Sequence, residues 1–279
     1  MPMLNTLNRR LLKLIVAAVA ASALSLPAVA ADEFITVQST TSTKNSGLLD
    51  HILPIFEAQT GIEVRVVAVG TGQALKNARN GDGDVLLVHA RPAEEKFVAE
   101  GFGVERFDLM YNDFIIVGPQ TDPAGVSGMT DTTAALKKIA DSESIFASRG
   151  DDSGTHKKEV RLWAAAGVDA AASSGQWYRE TGSGMGATLN TGVGMGAYVM
   201  TDRATWIAFR NKSDFAVHVQ GDKRLFNQYG VILVSPKKHA HIKVEAGQKF
   251  IDWLRSDDGQ AAIADFSIRG TQLFYPNAD

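Results

Sequence analysis

The chain has 279 residues, with 28 Lys and Arg against 31 Asp and Glu for a formal net charge of −3, 45% hydrophobic residues and no cysteine. The missing cysteines exclude disulfides and thiolate chemistry, and the mild acidity argues against nucleic acid or an anionic membrane as partner. The hydrophobic content is enough for the core of one or two domains without covalent staples.

At the N-terminus, Arg9, Arg10 and Lys13 precede an apolar run over residues 14–26, and Ala28-Val29-Ala30 has the small-x-small form of a cleavage site. Residues 1–30 therefore read as a secretory signal peptide cut after Ala30. The run is shorter than the ~20 residues a spanning helix needs, and no later apolar stretch reaches that length. The paired arginines partly resemble a twin-arginine export signal, although ordinary signal peptides carry such pairs too. Removal of the peptide leaves 25 cations against 31 acids, a net charge of −6. An anion must then be captured by local donors against the overall field.

The next segments alternate between strand and helix. A short strand over 35–38 runs into the hydroxyl cluster Ser39, Thr40, Thr41, Ser42 and Thr43, and Leu48, Ile52, Ile55 and Phe56 then recur at helical spacing up to Gly61. A strand over 64–69 leads to Gly70-Thr71-Gly72, a short helix to Asn80, a strand over 85–88 and a helix opened by Pro92. Such βαβ alternation predicts a mostly parallel sheet with helices on both faces and binding residues on the loops at the strands' carboxyl ends.

A second unit starts after an apolar strand over 112–117. It comprises a helix near 133–140, a strand over 145–147, a loop and helix to Ala166, a glycine-rich segment over 181–186 and a small-residue helix ending near Met200. A strand over 227–234 reads as the return crossing, and residues 245–266 as one or two amphipathic helices. The expected organisation is a clamp of two lobes, 31–115 plus 235–279 and 116–234.

The strongest chemical signal is residues 148–156, Ser-Arg-Gly-Asp-Asp-Ser-Gly-Thr-His, followed at once by a helical run. Arg149 supplies charge, Ser153 and Thr155 supply hydroxyls, and Gly154 lets free N–H groups at the helix start approach an anion. A hydrogen bond to a charged group contributes ~1.5–3 kcal/mol, and nanomolar affinity needs about 12 kcal/mol, so roughly five to eight donors suffice. Thr40, Thr41 and Ser42 offer equivalent donors in the other lobe, Thr71 one more, and Gly186, Ala187 and Thr188 N–H groups at a further helix start. Each loop alone also looks like an ordinary N-cap, and Arg149 pairing with Asp151 or Asp152 on the surface is the plain alternative. Arg149→Ala is expected to abolish tight anion binding and leave the fold intact. A different chemistry, an exported hydrolase with Ser153 as nucleophile and His156 as base, fits the spacing but lacks a Gly-x-Ser-x-Gly elbow.

Three motifs together carry a family resemblance. Ser39-Thr40-Thr41-Ser42-Thr43 with Ser46-Gly47-Leu48-Leu49, the segment Asp84-Val85-Leu86-Leu87-Val88-His89-Ala90, and Ser148 through His156 resemble the tungstate-binding TupA family of ABC-importer binding proteins. The family's hydroxyl motif usually begins with threonine, where this chain has Ser39, which keeps the donor. The resemblance implies an α/β type II periplasmic binding protein fold, with tungstate between the lobes and a membrane permease and its ATPase as partners. It also implies a periplasmic protein that is not an enzyme. Molybdate, sulfate and phosphate are the alternative ligands, and a monomer with no cofactor and no bound metal cation is expected. Related phosphate-binding proteins place an aspartate where this chain has His89. A fully deprotonated dianion is therefore expected.

Overall fold

The computed structural model describes residues 34–278, and the expected signal peptide lies outside them. From the N-terminal side the elements are β1 (Phe34–Thr40), α1 (Thr41–Ser46), α2 (Leu48–Thr60), β2 (Glu63–Val69), α3 (Thr71–Asn80), β3 (Val85–Val88), α4 (Arg91–Ala99) and the long β4 (Gly103–Pro119). There follow α5 (Thr132–Asp141), β5 (Phe146–Ser148), α6 (Gly154–Ala165), β6 (Tyr178–Glu180), α7 (Met185–Met195), β7 (Val199–Asp202), α8 (Arg203–Ala208) and β8 (Phe215–Val219). The chain closes with β9 (Phe226–Val234), α9 (Val244–Arg255), α10 (Asp257–Asp265) and three two-residue strands, β10 (Ser267–Ile268), β11 (Thr271–Gln272) and β12 (Tyr275–Pro276).

The first sheet runs β12-β4-β9-β3-β1-β2. Its β2-β1-β3 arm is parallel, as the βαβ alternation requires, whereas β9 pairs antiparallel with both β3 and β4. The sheet is thus mixed rather than mostly parallel, because the return crossing enters from the opposite end. That crossing was expected to close the second lobe at residue 234. Its register, from Val85↔Leu233 to Asp113↔Phe226, places β9 in the first sheet instead.

Strand β4 extends well beyond the expected 112–117 because its two halves serve different sheets. Up to Asp113 it pairs with β9, and from Phe114 onward with β7 and β8. Alternation decides which face each residue covers. Val85 and Leu87 of β3 pack with Leu48, Ile52, Phe56, Phe250 and Leu254 on one face, and Leu86 and Val88 pack with Ala74, Phe97 and Ile232 on the other. The same period of two splits Phe114 and Ile116 from Ile115 and Val117 in the second half of β4. A sheet covered on both faces needs apolar residues at every position, which is why these strands read as continuous apolar runs.

Helix boundaries follow from capping. Gly47 and Gly61 hold φ of 85° and 73° at the two ends of α2, a left-handed conformation that glycine adopts without Cβ strain. Ser153 caps α6 and Asp202 caps α8, each side chain accepting a backbone N–H three residues on.

Candidate functional site

Strand β1 delivers the hydroxyl cluster to its carboxyl end. Thr40 Oγ1 accepts the Thr43 N–H (3.2 Å) and lies 2.7 Å from Thr43 Oγ1 and 3.1 Å from Ser42 Oγ. Ser42 Oγ in turn lies 3.0 Å from His89 Nε2. Ser39 points the other way, donating to Leu87 O (2.9 Å), and so pins β1 to β3.

The ring of His89 is fixed on its far side. Asn227 donates to Asn112 Oδ1 (2.7 Å), which turns Asn227 Oδ1 toward His89 Nδ1 (3.0 Å). His89 therefore carries its hydrogen on Nδ1, and Nε2 accepts from Ser42. Burial holds the ring's pKa down to about 4, the Asn227 hydrogen bond opposing this and nearby Arg149 adding to it, so His89 is uncharged at neutral pH. Asn112 and Asn227 were not singled out in the sequence. Their signal was an amide side chain at the start of each of two apolar runs, Asn112 in one and Asn227 beside Gln228 in the other.

The second loop leaves β5 at Ser148, which is fully buried, and turns through Gly150 and Asp152, both at φ 58°. Arg149 is only 1% exposed. Its Nη2 donates to Asp151 Oδ2 (2.6 Å) and Thr41 Oγ1 (3.0 Å), and its Nε to Ser183 O (3.3 Å). The Asp151 pair is thus present, with the arginine buried and the carboxylate partly exposed. Truncating Arg149 would take from Asp151 its charged partner and leave it the Ser153 N–H (3.2 Å).

Helix α6 begins where the two loops meet. Gly154 N–H donates to Thr71 Oγ1 (2.8 Å) and Gly72 N–H to Asp152 O (3.3 Å). A Cβ on Gly154 would stand 3.0 Å from both Thr71 Oγ1 and His89 Cε1, so the close approach requires glycine. Thr40, Thr41, Ser42, Thr71, His89, Arg149, Ser153 and Gly154 form one connected cluster, with Thr155 next in the chain. Two of its buried donor groups have no protein partner, Arg149 Nη1 and Thr155 Oγ1.

The α7 residues are placed differently from the rest. Thr188 Oγ1 bonds Ser183 O (3.2 Å) and Thr181 Oγ1 (2.8 Å) within its own loop, Gly186 faces Asn45, and Ala187 is exposed. Ser183 and Gly184, which sequence reasoning passed over, approach Arg149 and Thr41 more closely.

Buried carboxylates stand behind the cluster. Asp202 accepts the Thr205 N–H and hydroxyl (2.8 Å each), and burial pushes its pKa up to about 6. Glu159 accepts from Tyr178 (2.7 Å) and Trp163 (3.2 Å), with burial pushing it up to about 7. Ser153 and His156 are not set as nucleophile and base. His156 Nδ1 accepts the Asp152 N–H (3.1 Å), while Ser153 Oγ accepts the His156 N–H (3.1 Å) rather than facing the ring. Among the described residues no group of three His, Cys, Asp or Glu side chains is arranged to hold a metal cation.

The cluster is rich in donors and centred on one guanidinium, an arrangement suited to a compact anion. A family model described as a PBP superfamily domain matches residues 25–258. The tungstate-binding protein TupA of Peptoclostridium acidaminophilum is 47% identical over 248 residues, 88% of this chain and 86% of that protein. The chain belongs to the TupA family. Solved structures agree with the membership: the TupA protein from Desulfovibrio alaskensis G20 aligns with a TM-score of 0.74 at 47% identity, covering 88% of this chain and 100% of that one. The tungstate ABC transporter structure from Geobacter sulfurreducens aligns with a TM-score of 0.77 at 48% identity, covering 85% of this chain and 100% of that one. The TupA fold is α/β, with mixed sheets flanked by helices as described above.

Proposed function

We propose that this protein captures tungstate outside the cytoplasm and delivers it to the membrane permease and ATPase of an ABC importer. The observation that carries the reading is the pair of buried, unpartnered donors, Arg149 Nη1 and Thr155 Oγ1, at the meeting point of two hydroxyl loops. An unsatisfied buried donor costs roughly 1–3 kcal/mol, so such groups point to a ligand that completes them. Membership in a family that includes proteins named for tungstate binding supports the choice of ion. The protein is a carrier and not an enzyme.

In this reading Arg149 supplies the main charge, Thr40, Thr41, Thr71, Ser153, Gly154 and Thr155 the surrounding donors, and Ser42 and His89 the wall beneath them. Ser39 and Ser148 brace the strand ends, and the N-terminus of α7 closes the far side. Neutral His89, with both ring nitrogens engaged, offers no free acceptor for the proton that phosphate retains, which favours a fully deprotonated dianion. Molybdate has the same charge and shape, and the preference for tungstate over it rests on the family.

The clamp divides where β4 changes partners: 34–113 with 226–278 form one lobe and 114–225 the other, with the anion between. Residues 1–30 direct export to the periplasm, where the protein acts as a monomer. Tungstate at about a hundred times its Kd should stabilise the fold by about 2.7 kcal/mol. A thermal melt that rises with tungstate and not with chloride supports capture. An unmoved midpoint refutes it.

A further inference from the structure

His89 and Asn227 also line a cavity of about 410 Å³. Three cations line it, Arg91, Lys158 and Arg161, beside the rings of Phe114 and Phe226, and no lining residue is a carboxylate. On a chain with net charge −3 such a concentration of positive charge stands out.

The three cations differ in how they are held. Arg91 is neutralised by Glu95 (2.8 Å) and Asp108 (3.3 Å). Lys158 donates only to the Phe226 carbonyl (3.2 Å). The acid whose charge reaches it, Asp222, is engaged by Arg224 (2.7 Å). Arg161 makes no ion pair among the described residues and is exposed. Lys158 and Arg161 sit one turn apart on α6, the helix whose first residues belong to the anion cluster. Like charges at this spacing destabilise a helix. Burial, with Arg161 adding to it, accordingly lowers the Lys158 pKa. Two cations facing one cavity, neither in an ion pair among the described residues, therefore oppose stability, and the Phe226 carbonyl offsets only part of this for Lys158.

We propose that this cavity is a cationic vestibule bordering the hydroxyl loops, where Lys158 and Arg161 concentrate the oxyanion and speed its capture without touching the bound ion. The inference rests on the tungstate-capture reading. A cleft lined by one sign of charge concentrates its counter-ion and raises association rates, by an amount that falls steeply with ionic strength. The cavity is several times the volume of one tetrahedral oxyanion, a feature of transit rather than of tight residence.

Stopped-flow tryptophan fluorescence with sodium tungstate separates kon from koff. In low salt the double variant Lys158→Gln/Arg161→Gln should bind about tenfold more slowly, at the lower end of what focused charge contributes. Its koff should match the parent's, Lys158→Arg should retain the fast rate, and the difference should collapse in high salt. An unchanged kon, or a deficit that persists in high salt, overturns the vestibule while leaving tungstate capture standing. Absence of any saturable tungstate signal in the unsubstituted protein overturns the carrier reading, and the vestibule with it.

Discussion

Replacing Thr155 with valine separates binding from folding. The side chain is fully buried, its Oγ1 has no protein partner, and valine preserves the branched shape while removing the hydroxyl. In the fold alone an orphaned hydroxyl costs roughly 1–3 kcal/mol, so its removal should leave stability unchanged or raise it by up to that amount. For a protein of this size each kcal/mol corresponds to about 2–4 °C in Tm. In the complex, the same hydroxyl lost from a charged acceptor should weaken binding by about 1.5–3 kcal/mol, roughly 10- to 150-fold in Kd. Calorimetric titration with tungstate and a thermal melt of the same preparation give both numbers. A lower Tm with an unchanged Kd would show that the hydroxyl serves the fold and would remove Thr155 from the site.

Three further predictions test the surroundings of the cluster. Arg149→Ala should lower stability by about 1.5–3 kcal/mol by removing the charged hydrogen bond to partly exposed Asp151, as well as abolishing tight tungstate binding, whereas Arg149→Lys should retain more of the fold than of the affinity. Native-like affinity in Arg149→Lys would show that the guanidinium fork is unimportant. Glu159 has its pKa raised from 4.5 to about 7, so the folded state holds the proton more tightly than the unfolded chain. Its contribution is fully present below about pH 4.5 and is lost as pH rises to about 7, a swing of about 3 kcal/mol. Glu159→Gln should therefore gain stability relative to the parent as pH rises from 5 to 8, and a constant difference in urea midpoint would contradict the assignment. Thr71→Val should cost about 1–3 kcal/mol by leaving the Gly154 N–H without its acceptor, and an unchanged unfolding midpoint would mean that another group replaces it.

The chemistry was more legible in the sequence than the topology. Residues 39–43 and 148–156 stood out because hydroxyls, glycine and arginine before a helix have few roles other than capping or anion binding, and the structure joins the two loops through Arg149 and Thr41. Strand direction was less accessible. Continuous apolar runs such as 226–234 say that both faces are covered but not which strand lies alongside, so the pairing of β9 with β3 and β4 was not legible. The full length of β4 was hidden because its first half, with charged Glu105, Arg106 and Asp108, is covered less evenly than its second. The Asn112–Asn227–His89 chain depends on three strands meeting, and no local pattern encodes that.

The central claim, a clamp built for a proton-free tetrahedral dianion, is tested most directly by calorimetric titration of the mature protein with tungstate, molybdate, sulfate and phosphate in parallel at neutral pH. One tungstate per chain should bind tightly, with phosphate far weaker because no free acceptor meets its proton. Phosphate binding as tightly as tungstate, or one common affinity for all four ions, would contradict the account.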